Sequence, residues 1–120
     1  MKTLKVGIAT RDAFKKRTLS IARGEYKPAK NEPKVWFESI ETLSQVLSEP
    51  NRALLKLIIE THPQSLVELA ERSGRAKSNL SRTLKNMERY GLVHFEEGPN
   101  RQLAPRVNYS GVELQMYFQS

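Results

Sequence analysis

The sequence has no cysteine, a single tryptophan, and only six glycines and six prolines among its 120 residues. Without thiols, disulfides and thiolate metal sites are excluded. With so little glycine and proline and with 38% hydrophobic residues, a low-complexity or collagen-like chain is excluded and a folded core is expected. No apolar run approaches the roughly 18 residues that span a bilayer. The opening residues 1–7 lack the apolar stretch of a secretory signal. A cytoplasmic protein with no membrane partner is the expectation, by default rather than by a positive signal. Histidine is scarce as well: His62 and His94 are the only two, and no further ligands stand near them at metal-binding spacing. No nucleophile–base–acid set and no glycine-rich phosphate loop is visible. Neither catalysis nor a cofactor nor a metal is expected.

Acidic residues are outnumbered. Twenty Lys and Arg stand against thirteen Asp and Glu, a net charge of +7. Residues 1–34 hold ten basic against three acidic side chains, residues 35–74 three against six, and residues 75–120 seven against four. Two basic ends flank a mildly acidic middle. A small basic chain of this kind suits an acidic partner such as nucleic acid, an anionic surface or an acidic protein, or else carries an ordinary solvated surface.

One domain's worth of chain is present. Residues 3–9 (TLKVGIA) read as a short strand. Thr10 is a good N-cap, with Asp12 in the first turn, for a helix over residues 11–23 that Gly24 stops. Residues 25–34 (EYKPAKNEPK) break the pattern and read as a linker or arm. The apolar patch 34–37 is a candidate second strand, which spacing alone does not pair with the first. Ile40, Leu43, Val46 and Leu47 share one face of an amphipathic helix. Pro50 opens the next helix, where Leu54, Leu55, Leu57, Ile58 and Ile59 form a dense apolar band. His62-Pro63 ends it. Ser65 and Glu68 form a capping box for a short helix that Gly74 closes. Leu80, Leu84 and Met87 share a face of a further helix, stopped by Gly91. A hairpin follows, with its turn at Gly98-Pro99-Asn100 and its return strand over residues 103–109.

A short bracing helix, a tight glycine turn and a second helix is the order of a helix-turn-helix, whose second helix enters the major groove of DNA. With Leu80 inward, a 3.6-residue period turns Ser78, Arg82, Lys85, Asn86 and Arg89 outward. Asn79 borders that face, and Arg75 and Lys77 stand at its entry. Arginine binds guanine bidentately, asparagine binds adenine, and serine binds a base or a phosphate. A solvated face with incidental serine and asparagine is the plain alternative. The hairpin favours the DNA reading, with Arg101 at its turn and Arg106 on its return strand as phosphate contacts, unless it only covers the core. The expected fold is mainly α with a small β component. It is a winged helix-turn-helix over residues 35–110, preceded by a basic strand–helix extension (1–34) and followed by a tail (111–120). Lys15, Lys16, Arg17 and Arg23 of the extension suit phosphates, an acidic partner or a soluble dimerisation helix, and a dimer-forming element is the favoured reading. Trp36 and Phe37 read as core or dimer packing.

The segment GRAKSNLSRTLKNMERYGLV (residues 74–93) resembles the recognition-helix signature of prokaryotic winged-helix regulators of the MarR/ArsR-like kind, through Ser78, Ser81, Arg82, Leu84, Met87, Gly91, Leu92 and Val93. SLVELAERSGR (residues 65–75) resembles the helix that precedes it. More closely, residues 36–109 and the leader VGIAT…SIARGE resemble a family of short predicted transcriptional regulators of archaea and bacteria, some of them antitoxin-like members of two-gene modules. That resemblance implies sequence-specific binding of double-stranded DNA by a homodimeric transcriptional regulator, with a repressor the expected sign. The alternative it leaves is an antitoxin-like protein that neutralises a toxin-like partner and autoregulates its operon. In one departure, Ala76 stands where such helices often carry a Ser or Thr N-cap.

Overall fold

Parallel strands need a crossover between them rather than a tight turn, and residues 9–34 supply one here. In the computed structural model, which describes residues 1–118, strand β1 (Thr3–Ile8) leads through helix α1 (Arg11–Ala22) to strand β2 (Val35–Phe37). Helices α2 (Ile40–Val46), α3 (Glu49–Thr61), α4 (Leu66–Ser73) and α5 (Lys77–Arg89) follow. The chain then forms β3 (Val93–Glu97), a 3-10 turn (Pro99–Arg101), β4 (Leu103–Val107) and β5 (Gly111–Met116). The fold is thus mixed α and β, with more strand than the sequence led us to expect.

Two compact units emerge. One holds Met1–Lys2 and Gln45–Ser110, and the other Thr3–Ser44 together with the chain from Gly111 onward. Within α2 the chain passes from the second unit to the first. The expected boundary after residue 34 therefore falls later. Residues 111–116, expected to belong to a tail, are a strand.

The second unit is a three-stranded parallel sheet in the order β2-β1-β5. Val6 lies opposite Val35 and Ile8 opposite Phe37 on one side, while Thr3 to Ile8 face Gly111 to Met116 residue for residue on the other. Leu4, Val6 and Phe37 are fully buried. Alternation along a strand puts Gly7 on the opposite face from Val6. There the Trp36 ring lies directly on the Gly7 backbone: a Cβ at residue 7 would stand 2.5 Å from the indole. α1 starts at Thr10, whose Oγ1 accepts the Ala13 N–H at 3.2 Å.

The first unit is built on α3, α4, α5 and the antiparallel pair β3-β4. Leu54 and Ile58 of α3, Leu69 of α4, and Leu80, Leu84 and Met87 of α5 are buried, with Leu92, Val93, Ala104 and Pro105 from the hairpin. Each such large side chain removed from water contributes about 1.5–3 kcal/mol. The apolar band of α3 is narrower in the core than its sequence suggests. Leu55 and Leu57 are half-buried, and Ile59 is 38% exposed. Ser65 caps α4 by accepting the Glu68 N–H at 3.0 Å. The Glu68 carboxylate reaches back to the Gln64 N–H, one residue earlier than in the usual box. That bond is the main cause of a Glu68 pKa below the ordinary carboxylate value. Gly74 ends α4 at φ 75°, a left-handed conformation that lets the chain turn at once into α5.

Candidate nucleic-acid interface

Helix α5 is divided cleanly into two faces. Leu80, Leu84 and Met87 are almost wholly buried, which fixes the rotation of the helix about its axis. That rotation leaves Lys77, Ser78, Asn79, Arg82, Lys85 and Arg89 exposed and Asn86 half-buried at the margin. Glu88 is the only carboxylate on the helix. Among the described residues, no ion pair or hydrogen bond engages the side chains of Lys77, Arg82, Lys85 or Arg101. Their donors face solvent.

Three residues, Gly74 to Ala76, separate α4 from α5. Ala76 is the N-cap of α5 and gives no side-chain hydrogen bond, so the first amides of α5 lack a side-chain acceptor. Arg75, at the entry, is half-buried. Its Nη1 donates to Asn51 Oδ1 at 3.1 Å, and Asn51 Nδ2 in turn donates to the Val46 carbonyl at 3.1 Å. Asn51 thus holds Arg75 in place, a role the sequence did not reveal. Its only signal there is an asparagine in the first turn of α3, where the sequence offers no partner for it.

The hairpin meets the start of α5. Gln102 and Leu103, at the beginning of β4, line a depression of about 210 Å³ together with Lys77, Ser65, Leu66 and Val67. Gly98 anchors the hairpin at its other side, because a Cβ there would stand 2.5 Å from the Gln64 carbonyl oxygen. At the tip, Asn100 and Arg101 both take left-handed backbone conformations, φ 59° and 62°, and Arg101 is exposed.

Arg106 is placed differently from the sequence expectation. Its side chain is 12% exposed and turned inward. Nη1 donates to the carbonyls of Pro63 at 2.7 Å and Pro105 at 2.8 Å, and Nε stands 3.5 Å from Glu96. His94 and Glu96 of β3 lie opposite Arg106 and Ala104 on the same face of the hairpin, and the turn at Pro63 covers the Arg106 side chain there. Arg106 therefore braces the hairpin against the turn before α4 rather than projecting from it. Glu96 also accepts from His94 Nε2 at 3.1 Å, and His94 Nδ1 meets Asn108 Oδ1. These two bonds, Glu96 first, raise the His94 pKa above its ordinary value. The His94 bond likewise holds Glu96 below the usual carboxylate range. The Glu96 carboxylate is thus taken up by Arg106 and His94.

No helix among the described residues is long and apolar enough to cross a membrane, and no three His, Asp or Glu among them stand together as a metal-binding group. Residues 46–114 match the model of the family described as HVO_A0114. No curated protein and no solved structure matches the chain.

Proposed function

We propose that this chain, which belongs to the HVO_A0114 family, is a sequence-specific double-stranded DNA-binding protein of winged helix-turn-helix type. In this reading α4 braces α5, α5 lies in the major groove, and the β3-β4 hairpin is the wing. The observation that carries it is the exposed face of α5. Ser78, Asn79, Arg82 and Lys85 stand together there, opposite a buried anchor and without internal partners. Arginine, asparagine and serine are the side chains that read base edges in the major groove. Lys77 and Arg75 at the helix entry and Arg101 at the wing tip supply phosphate contacts. Asn86 reaches DNA only from the margin of the face, and Arg106 acts by holding the wing.

The protein acts in this reading as a homodimeric transcriptional regulator, a repressor, on a pseudo-palindromic operator. Its two α5 helices then sit about 34 Å apart, one turn of the duplex. The test is capture of genomic fragments on the immobilised protein, sequencing of the recovered DNA, and titration of the enriched site. Arg82→Ala is expected to weaken binding by about 1–3 kcal/mol and to relax preference at one base position. Recovery without sequence enrichment, or an Arg82→Ala variant that binds the enriched site unchanged, overturns the reading. A duplex RNA of the same sequence at equal salt is expected to bind far more weakly, because its deep, narrow major groove does not admit a helix.

A further inference from the structure

The parallel-sheet unit contains a cavity that the DNA-binding reading does not use. It has a volume of about 670 Å³ and opens where β1 and β5 end at their carboxyl termini and α1 begins. In open parallel sheets this crevice lies where the chain leaves one strand in opposite directions, and ligands gather there. Here β1 has β2 on one side and β5 on the other. The volume falls in the range of about 300–1,000 Å³ that holds small molecules.

Trp36 forms one wall, and it is not free to move. Gly7 leaves room for the indole against the sheet, so the ring is seated on backbone. The Arg17 guanidinium lies 5.0 Å from the ring centre of Trp36 and 5.9 Å from that of Tyr26. Arg17 is itself held by Glu32 at 2.8 Å, and the two side chains are only 23% and 20% exposed. Among the described residues, Arg17 and Glu32 are the only charged ones lining the cavity, and each neutralises the other. Ile8, Ala13, Pro33 and Met116 supply the apolar lining, and the hydroxyls of Thr10 and Ser20 stand at its polar positions. Tyr117 and Phe118 also line it, 62% and 98% exposed.

The geometry points to a binding site for a small, uncharged, planar aromatic or heteroaromatic molecule, bounded by Trp36, Tyr26 and Tyr117 and oriented by the hydroxyls of Thr10 or Ser20. A flat ring suits the aromatic walls. Absence of charge follows from the Arg17–Glu32 pair, which satisfies itself and leaves no counter-ion for a buried charged ligand.

The chain has one tryptophan, so its indole N–H gives one cross-peak in a proton–nitrogen correlation spectrum. The full chain is titrated with indole, and separately with indole-3-acetate and tryptamine, which add a negative and a positive charge to the same ring. Indole is expected to move the Trp36 cross-peak saturably, with an affinity at least fivefold above that of either charged analogue. Ala13→Leu, which places a larger side chain on the cavity wall of α1 without a helix breaker, is expected to weaken indole at least tenfold while the β1 amide shifts stay in place. Arg17→Gln leaves Glu32 unpaired and is expected to shift preference from indole toward tryptamine. No saturable shift of Trp36 with indole overturns the site. An Ala13→Leu variant with intact β1 shifts and unchanged indole binding overturns its location. Equal binding of all three compounds, or tighter binding of indole-3-acetate, overturns the assignment of an uncharged ligand.

Discussion

Ala76 begins α5 with an extended backbone, φ −65° and ψ 142°, the geometry of an N-cap without a capping side chain. Ala76→Ser adds an acceptor for the amides of Ser78 or Asn79 and is expected to stabilise the fold by about 1 kcal/mol, read as a rise in denaturant midpoint at unchanged slope. A midpoint that stays put or falls argues against helix α5 starting there. His94 gives a second test at this scale. Its protonated form is favoured in the folded state by Glu96 and Asn108. The stabilisation is therefore fully present below the unfolded histidine pKa and is lost as pH rises through the higher folded one. For Glu96, whose folded pKa is depressed, stabilisation is present above the unfolded carboxylate value and is lost as pH falls through the folded one. The pair is thus best formed in mildly acidic solution, between the two ranges. Glu96→Gln is expected to lower the His94 titration midpoint followed by NMR. An unmoved midpoint means that the β3-β4 hairpin does not hold this pair in solution.

At the scale of elements, β1 is bonded on both sides, whereas β2 and β5 are each bonded on one. The amides of β1 are accordingly expected to exchange with solvent more slowly than those of β2 and β5, measured by residue-resolved hydrogen exchange. Comparable rates in all three strands contradict the central position of β1. This sheet also marks the limit of what was legible from residues alone. Helices α1, α3, α4 and α5 and the hairpin were legible because capping, 3.6-residue periodicity and turn residues are local signals. The outward face of α5 followed from Leu80, Leu84 and Met87 alone. Strand β5 carried its own signal, apolar residues alternating at Val112, Leu114 and Met116, yet its partner lies at the other end of the chain and no local pattern names it. Arg106 was misplaced because the turn that covers it, at Pro63, lies 43 residues away in the chain, and no local pattern announces such a cover.

Considered whole, the chain separates its charge from its core: among the described residues no ion pair engages the exposed basic side chains of α5 or Arg101, and the net charge is +7. Binding to duplex DNA is therefore expected to fall steeply and linearly in log affinity against log salt. Lys77→Ala is expected to reduce that slope by about one and to weaken all sequences alike, checked by fluorescence anisotropy at several ionic strengths. A slope that Lys77→Ala leaves unchanged removes Lys77 from the phosphate contacts. The expectation of a single core did not survive at this scale, because residues 45–110 form one compact unit while the segments on either side close another.

That closure has a consequence for synthesis on the ribosome. β1 is made before its partner β5, and Thr3 meets Gly111 only after the whole intervening unit has been made. At about 5–20 residues per second the nascent chain carries an unpaired strand edge for on the order of ten seconds. A bare edge invites pairing with other chains, and lysine on or beside a strand discourages it. Lys2 and Lys5, which flank and interrupt β1, put positive charge on that edge until β5 covers it.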